Sequence, residues 1–332
     1  MTASPPPDPG SGSRPTSPVS PSGPEDPRCP ACGEPVAVTA DHCESCGAGL
    51  APVVASDGSH GDGPSGRDHE ELDLGLVAAI SDRGVRHDRN EDAVALATTM
   101  TADGPAVIAV VSDGVSTSDQ PDQASLMTVR AAVRELLAAV RSGSDLAEAS
   151  VRAAGLAREA VVALTGPSGE PPAATLVSAV VTGDTVTLCW LGDSRAYWLD
   201  AEPRGSGRQL TRDDSLADEL VERGLLPESE ALTAPEAHVV TRWIGADTDP
   251  STAHVTRFTP PGRGVLMVCS DGLWNYEPDA GKLAALALPG ALTDPPAAAA
   301  GLVGFALDAG GMDNITVALV PYPLARPEGR GE

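Results

Sequence analysis

The chain has 332 residues, with 22 Lys plus Arg against 47 Asp plus Glu, for a formal charge of -25. Such a surface repels polyanions, which excludes nucleic acid and anionic membranes as partners. No apolar run reaches the roughly 18 residues of a membrane span, and no basic-then-apolar leader occurs, so a cytoplasmic monomer is expected.

Residues 1–28 are rich in Pro, Ser and Gly with almost no apolar side chains, and are expected to be a disordered tail. Residues 29–50 read CPACGEPVAVTADHCESCGAGL and carry Cys29, Cys32, Cys43 and Cys46 as two CxxC pairs. Each pair sets two thiolates on one knuckle, with Gly33 and Gly47 free to make the turn. Four soft sulfurs suit one structural Zn²⁺, and a segment of about 20 residues has no core of its own, so metal would supply its folding energy. Two disulfides are the alternative, disfavoured because nothing marks secretion. Residues 51–70 read as a flexible linker, 71–322 as one dense domain, and 323–332 as a second disordered tail.

The dense domain opens with a strand near 75–80, a polar loop at 81–92 and a strand at 93–98. Residues 106–114, AVIAVVSDG, read as a buried strand that stops at an Asp-Gly turn. Apolar residues at helical spacing predict helices over 123–141 and 145–164. Strands are expected at 175–182 and 185–191, joined by Gly183-Asp184, and a third at 197–199 after the turn GDSR. A short helix at 215–223 precedes a mixed excursion over 228–245. The run 265–272, VLMVCSDG, repeats the form of 106–114. Two Ala-rich helices, 279–288 and 296–308, and a strand at 315–320 complete the pattern. Helices come in adjacent pairs rather than between strands, which argues for helices packed outside β-sheets. Cys189 and Cys269 sit inside apolar strands as small buried hydrophobes.

Asp113 and Asp271 each end a strongly apolar strand, and Asp313, in GMDN, just precedes one. Turn chemistry is the plain reading of any one copy. Three acidic turns beside three buried strands point instead to a shared site for a hard cation. Glu91 and Asp92 add two carboxylates on a loop. Crowding five carboxylates would raise their pKa values, and a pair of Mg²⁺ or Mn²⁺ ions would relieve that. Two such ions about 3.5–4 Å apart can hold a bridging water and present it in line to a phosphoryl group. Arg86, in the same loop, is suited to grip phosphate oxygens bidentately.

At these residues the chain resembles the PP2C (PPM) family of metal-dependent serine/threonine protein phosphatases, of the bacterial type. The matching stretches, in family order, are SDRGVRHDRNED (81–92), VVSDG (110–114), AATLVSAVV (173–181), GDSRAY (192–197), QLTRDDSLADELVERG (209–224), VVTRWIG (239–245), VCSDGLW (268–274) and GGMDNITV (310–317). The resemblance implies an α+β fold, a central β-sandwich flanked by pairs of helices, here behind a small zinc ribbon. It implies that Asp113 bridges two metals and that the Gly114 carbonyl and Glu91 complete one site. Asp271 and Asp313 would hold the other ion, Asp92 the metal-bound waters, and Arg86 the substrate phosphate. Glu170 falls where bacterial relatives place a ligand for a third ion. Asp193, in GDSR, matches a structural turn, and Asn314 would brace the turn at Asp313.

The resemblance further implies hydrolysis of phosphoserine and phosphothreonine on protein substrates of serine/threonine kinases. The chain departs from the pattern at Val115-Ser116-Thr117, which follow Asp113-Gly114 where the family continues with His or Met and glycines. That departure keeps a rival open: a catalytically weak or inactive binding or sensing module. A narrower rival is a phosphatase of one stress or sigma-factor regulator. His87 reads as a solvated loop histidine.

Overall fold

The computed structural model describes residues 69–324 apart from 168, 203–205 and 250–251. It also describes residues 1–2 and the segment 28–55 apart from 30–31, 38–39, 41, 48–49 and 51–52. The expected tails, 1–28 and 323–332, lie almost wholly outside the described residues, as do 56–68 of the expected linker.

The chain begins with β1 (Val53–Ala55), β2 (His69–Asp73) and β3 (Ala78–Asp82), then the long hairpin β4 (Asp92–Thr101) and β5 (Gly104–Asp113). A helix pair follows, α1 (Pro121–Ser142) and α2 (Leu146–Val162). Next come β6 (Ala173–Ala174), β7 (Leu176–Thr182), β8 (Thr185–Leu191), β9 (Arg195–Asp200) and β10 (Ser206–Gln209). An excursion holds α3 (Leu216–Glu222), α4 (Glu228–Ala231), a 3₁₀ turn at Pro235–His238 and β11 (Ile244–Gly245). Then β12 (His254–Phe258) and β13 (Gly264–Cys269) lead to α5 (Asp271–Trp274), the second helix pair α6 (Ala280–Ala291) and α7 (Pro295–Asp308), and β14 (Ile315–Tyr322).

Two six-stranded antiparallel sheets result, ordered β1-β4-β5-β7-β8-β12 and β10-β9-β13-β14-β3-β2, with β6 and β11 as a separate pair. β5 shows why its sequence does not alternate. Ile108 and Val110 pack with Val129 of α1 and Ala157 of α2, while Val107, Ala109 and Val111 face the opposite sheet. β13 does the same: Val265, Met267 and Cys269 meet α6 and α7, and Leu266 and Val268 point between the sheets. A strand buried on both faces has no polar side, so its period-2 signal vanishes. The fold is therefore α+β, with helix pairs on the outer faces of a β-sandwich.

Local chemistry sets the element ends. Asp145 caps α2 by accepting from the N–H groups of Ala147 and Glu148. The glycine-poor entry to α1 is solved differently: Gln120 takes a left-handed conformation, φ 52°, and Pro121 occupies the first helical turn. Pro121 crowds Gly114, where a Cβ would stand 2.3 Å from the Pro121 carbonyl oxygen. Gly272 is equally confined, since a Cβ there would lie 1.9 Å from the Asn314 oxygen. Neither Asp-Gly pair therefore closes a hairpin: Asp271-Gly272 opens α5, and Gly114 bridges to Ala174 of β6.

The described ends of the expected linker 51–70 are β-strand. Residues 53–55 pair with 94–96 as an edge strand on β4, and β2 starts at His69, whose Nδ1 meets Asp82 Oδ2 at 2.8 Å. A β-branched pair beside an unpaired sheet edge is enough to recruit a short strand. Among the described residues no helix is long and apolar enough to cross a membrane.

Candidate active site

The hairpin β4–β5 places Asp92 directly opposite Asp113 in the sheet register. β13 ends on the other sheet, so Asp271 arrives at the same end of the sandwich one residue after Ser270. The turn before β14 brings Asp313. Asp113, Gly114, Asp193, Asp271 and Asp313 line one cavity of about 520 Å³. Glu170 stands exposed at its margin.

Asp92 is fully buried behind this wall. Ser270 Oγ donates to Asp92 Oδ2 at 2.6 Å, while Asp92 Oδ1 has no hydrogen-bond partner. Asp271 shows the same pattern: Asn275 Nδ2 donates to Oδ2 at 3.0 Å, and Oδ1 is buried without a donor. Loss of water raises the Asp92 carboxyl to about 7, the Ser270 and Thr316 hydrogen bonds oppose this, and Asp313 and Asp271 add to it. Burial and the Asp313 charge raise Asp271 to about 6. Asp113 is driven well above the usual carboxylate range by burial, then by Asp92, Asp271, Asp313 and Asp193. Burial and neighbouring carboxylates together disfavour ionisation of Asp92, Asp113 and Asp271.

Glu91 is held from two sides. Arg89 Nε reaches Oε1 at 3.1 Å and Ser116 Oγ donates to Oε2 at 2.6 Å. Its carbonyl accepts from the Gly114 N–H at 3.1 Å, fixing the loop to the end of β5. Asn314 braces the same loop: its Oδ1 accepts from the Glu91 N–H at 2.7 Å, and its Nδ2 donates to the carbonyls of Arg83 and Arg89.

The loop aims differently from the sequence expectation. Arg86 is exposed and does not line the cavity, whereas His87 Nε2 lies 3.2 Å from Asp313 Oδ1. Asp193, expected at a structural turn, is also 4% exposed on the cavity wall, and its carboxyl is raised by burial and then by Asp271. The GDSR pattern carried no sign of this, because only the pairing of β9 with β13 brings that turn beside Asp271. Arg195 of the same motif is structural. It pairs with Asp213 at 2.7 Å, donates to the Tyr197 hydroxyl and stacks on Trp274, whose Nε1 holds the Asp193 carbonyl at 3.0 Å.

At the N-terminal segment, Cys29 and Cys46 place their sulfurs 3.7 Å apart, and Cys32 and Cys43 theirs 3.6 Å apart. All four sulfurs lie within 4.8 Å of one another. The six cysteines are free, so the two-disulfide alternative is not what this structure holds. Gly33 and Gly47, at φ 76° and 74°, make matching turns whose N–H groups return to the carbonyls of Cys29 and Cys43. This is a four-thiolate metal-binding cluster of zinc-ribbon type. Among the described residues it is the one group of three or more potential ligands drawn that close.

Comparison with known proteins agrees with this geometry. The family described as protein phosphatase 2C matches residues 83–285. The serine/threonine protein phosphatase PstP of Mycobacterium tuberculosis is 30% identical over 244 residues, which is 72% of this chain and 43% of that protein. This chain therefore matches less than half the length of that curated relative. The S. agalactiae serine/threonine phosphatase superposes with a TM-score of 0.61 at 25% identity, covering 73% of this chain and 97% of that one. The catalytic domain of PstP, solved with two manganese ions, superposes with a TM-score of 0.59 at 26% identity, covering 73% and 96%. The chain belongs to the protein phosphatase 2C family.

Proposed function

We propose that this chain hydrolyses phosphoserine and phosphothreonine monoesters on proteins, using divalent metal ions held at the carboxylate cavity. The observation that carries this reading is the convergence of Asp113, Asp271 and Asp313 on one cavity, with Asp92 opposite Asp113 behind them and with Asp92 Oδ1 and Asp271 Oδ1 buried and unpartnered. Buried acceptors of that kind fit a hard cation, and all the donors are oxygens, which suits Mn²⁺ or Mg²⁺. Asp113, Gly114, Asp271 and Asp313 share the cavity wall, and Glu91 is tied to the end of β5 through its carbonyl and the Gly114 N–H. We pair the Gly114 carbonyl with Glu91, and Asp271 with Asp313, with Asp113 shared between them. We assign the first pair to one ion and the second to another, with Glu170 available to a third. The bound ions supply Lewis acidity toward the phosphoryl oxygens and lower the pKa of water.

The chain's own groups do the rest. Ser270 and Asn275 hold Asp92 and Asp271 in place, and a fully buried Asp92 is positioned to accept protons behind the metal ligands. Arg86 is exposed outside the cavity, and its cation would favour capture of a phosphate through long-range attraction by an otherwise strongly anionic protein. The carboxylate set is complete, which argues against an inactive binding module despite Val115-Ser116-Thr117.

At the cysteine cluster we assign one structural Zn²⁺. A tetrahedron with Zn–S bonds of about 2.3 Å has edges of about 3.8 Å, close to the sulfur spacings present. We read the protein as a cytoplasmic monomer acting on products of serine/threonine kinases. The test is turnover of p-nitrophenyl phosphate and of a phosphothreonine peptide, each with Mn²⁺ and with EDTA. Turnover that survives EDTA, or that fails in Mn²⁺, would reject the reading.

A further inference from the structure

The cavity has a floor of carboxylates and one wall from the excursion between β10 and β12. His238, Val239, Val240 and Trp243 supply that wall. Val239 is 48% exposed, so an apolar surface faces whatever enters. The excursion has few buried side chains of its own: α4 buries none, and α3 buries only Ala217. The 3₁₀ turn buries only Ala237, so apart from Ile244 at its end the excursion is held over the cavity largely by specific bonds.

Those bonds converge on Asp214, which is 6% exposed. The Asp214 N–H donates to the Gly192 carbonyl at 3.0 Å, and Asp214 Oδ2 accepts from the Gly192 N–H at 3.0 Å. Gly192 directly precedes Asp193 on the cavity wall. On its other side, Asp214 Oδ1 meets Arg242 Nη1 at 3.1 Å and His254 Nε2 at 2.9 Å. Its carbonyl accepts from the Thr241 N–H at 2.7 Å. Leu216 N–H donates to the Val239 carbonyl at 2.8 Å, so residues 239–242 run along Asp214–Leu216 like an added strand. His254 is itself fixed, stacked on Trp190 with centroids 4.9 Å apart, and Trp190 Nε1 holds the Arg212 carbonyl at 2.7 Å.

We propose that Asp214, bound to Arg242 and His254, is a latch that positions Val239, Val240 and Trp243 over the carboxylate cavity and so selects the peptide flanking the phosphorylated residue. Arg242 directly precedes Trp243, so the charge-assisted bond at its guanidinium fixes the backbone from which that ring projects, and Trp243 Nε1 donates to Asp247 Oδ1 at 3.1 Å. The flank selected is apolar or basic: the wall offers Val115, Val239 and Trp243, and its charged members, Glu170 and Asp247, repel acidic side chains. Asp214, Arg242 and His254 are positioning residues and touch no substrate. The selection of a flank rests on the phosphatase reading; the latch does not.

The test compares Arg242→Gln with Arg242→Lys in the full chain, using two substrates and one probe that needs no activity. With Mn²⁺, Arg242→Gln should raise KM for a phosphothreonine peptide with apolar flanks about tenfold, leaving kcat/KM for p-nitrophenyl phosphate within about twofold. Arg242→Lys should recover part of the loss. Amide exchange over 239–242 should quicken about tenfold or more in Arg242→Gln, with β5 and β13 unchanged. Equal losses on both substrates, an unchanged peptide KM, or a preference for acidic flanks would overturn the selection. Unchanged exchange over 239–242 would overturn the latch. If the wild-type protein turned over neither substrate, the phosphatase reading would fall, and the exchange data would still judge the latch.

Discussion

Arg141, one residue before the end of α1, donates from Nη2 to the carbonyl of Leu50 at 2.7 Å. The bond crosses from the sandwich to the cysteine segment, where Leu50 is 2% exposed and packs with Cys29 and Cys43. Arg141 Nη1 reaches the Ala40 carbonyl at 3.3 Å, and β1 adds its edge pairing to β4. The segment is thus docked, although its composition suggested a loosely tethered module. Arg141→Ala should lower stability by about 1.5–3 kcal/mol, the range for hydrogen bonds from a charged donor. Cys43→Ser should lose the bound zinc and lower the melting temperature in the same direction. Calorimetry and elemental analysis check both, and a melting temperature unmoved by either change would show that the seam contributes nothing. A truncation to test the segment should end before His69, since removal of 1–70 would also cut into β2.

The carboxylate cluster makes a prediction in which stability and activity move apart. Asp271→Asn or Asp313→Asn should leave the fold intact and reduce turnover by about 100-fold or more, because a ligand to the activating metal is lost. In EDTA the same variants should melt above wild type, since one mutual repulsion is gone. Adding Mn²⁺ should raise the melting point of wild type and do so much less for the variants. Wild-type turnover in either variant would reject the ligand assignment.

Acid should stabilise the metal-free protein. Asp92 and Asp271 hold their protons to about pH 7 and 6 when folded, while unfolded aspartate titrates near 3.9. Between those limits the folded state binds more protons, so stability rises as pH falls through the window. His69 acts in the same direction. Burial lowers its pKa, but the Asp82 and Glu71 carboxylates outweigh that and raise it, so its contribution is lost as pH climbs past the folded value. In EDTA the melting temperature should be higher near pH 5.5 than near pH 7.5, and Asp92→Asn should flatten the slope. With saturating Mn²⁺ the order should reverse, because protons and metal compete for the same oxygens.

Much of the cavity was legible because each of the wall aspartates Asp113, Asp271 and Asp313 follows or precedes a strand that is apolar on both faces. That pattern located Asp113, Asp271 and Asp313, and the helix pairs followed from their spacing. Asp193 was not legible, since its burial depends on a sheet contact distant in sequence. β1 and β12 were missed for a related reason. VVA is too short to show a period, and HVTRF has no fully buried residue. The loop 83–91 has no period at all. Its aim comes from Asn314 and from the Val85 N–H bond to the Gly311 carbonyl at 2.7 Å, and neither can be read locally.

That loop yields a contrast between neighbours. Arg86 is exposed off the cavity, and His87 stands on Asp313. Arg86→Ala should therefore act mainly on KM, and the effect should shrink as salt screens long-range attraction. His87→Ala should lower kcat for p-nitrophenyl phosphate more than Arg86→Ala does. The reverse ranking, with a salt-independent loss at Arg86, would return the phosphate-gripping role to Arg86.

The departure at Val115-Ser116-Thr117 has a structural use. Ser116 Oγ donates to Glu91 Oε2 at 2.6 Å, while Arg89 holds Oε1. A carboxylate oxygen has two lone pairs, so each of these donors leaves one free and fixes the direction in which it points. Outer partners of this kind are worth about 10–100-fold in metal affinity. Ser116→Ala should therefore weaken Mn²⁺ binding by about tenfold in calorimetry, with turnover largely restored when the metal is raised to saturation. Ser116→Thr, which keeps the hydroxyl, should bind Mn²⁺ more nearly like wild type. If Ser116→Ala bound Mn²⁺ more tightly, the hydroxyl would be a competitor for the Glu91 lone pairs, and the departure from the family pattern would be inhibitory rather than supportive.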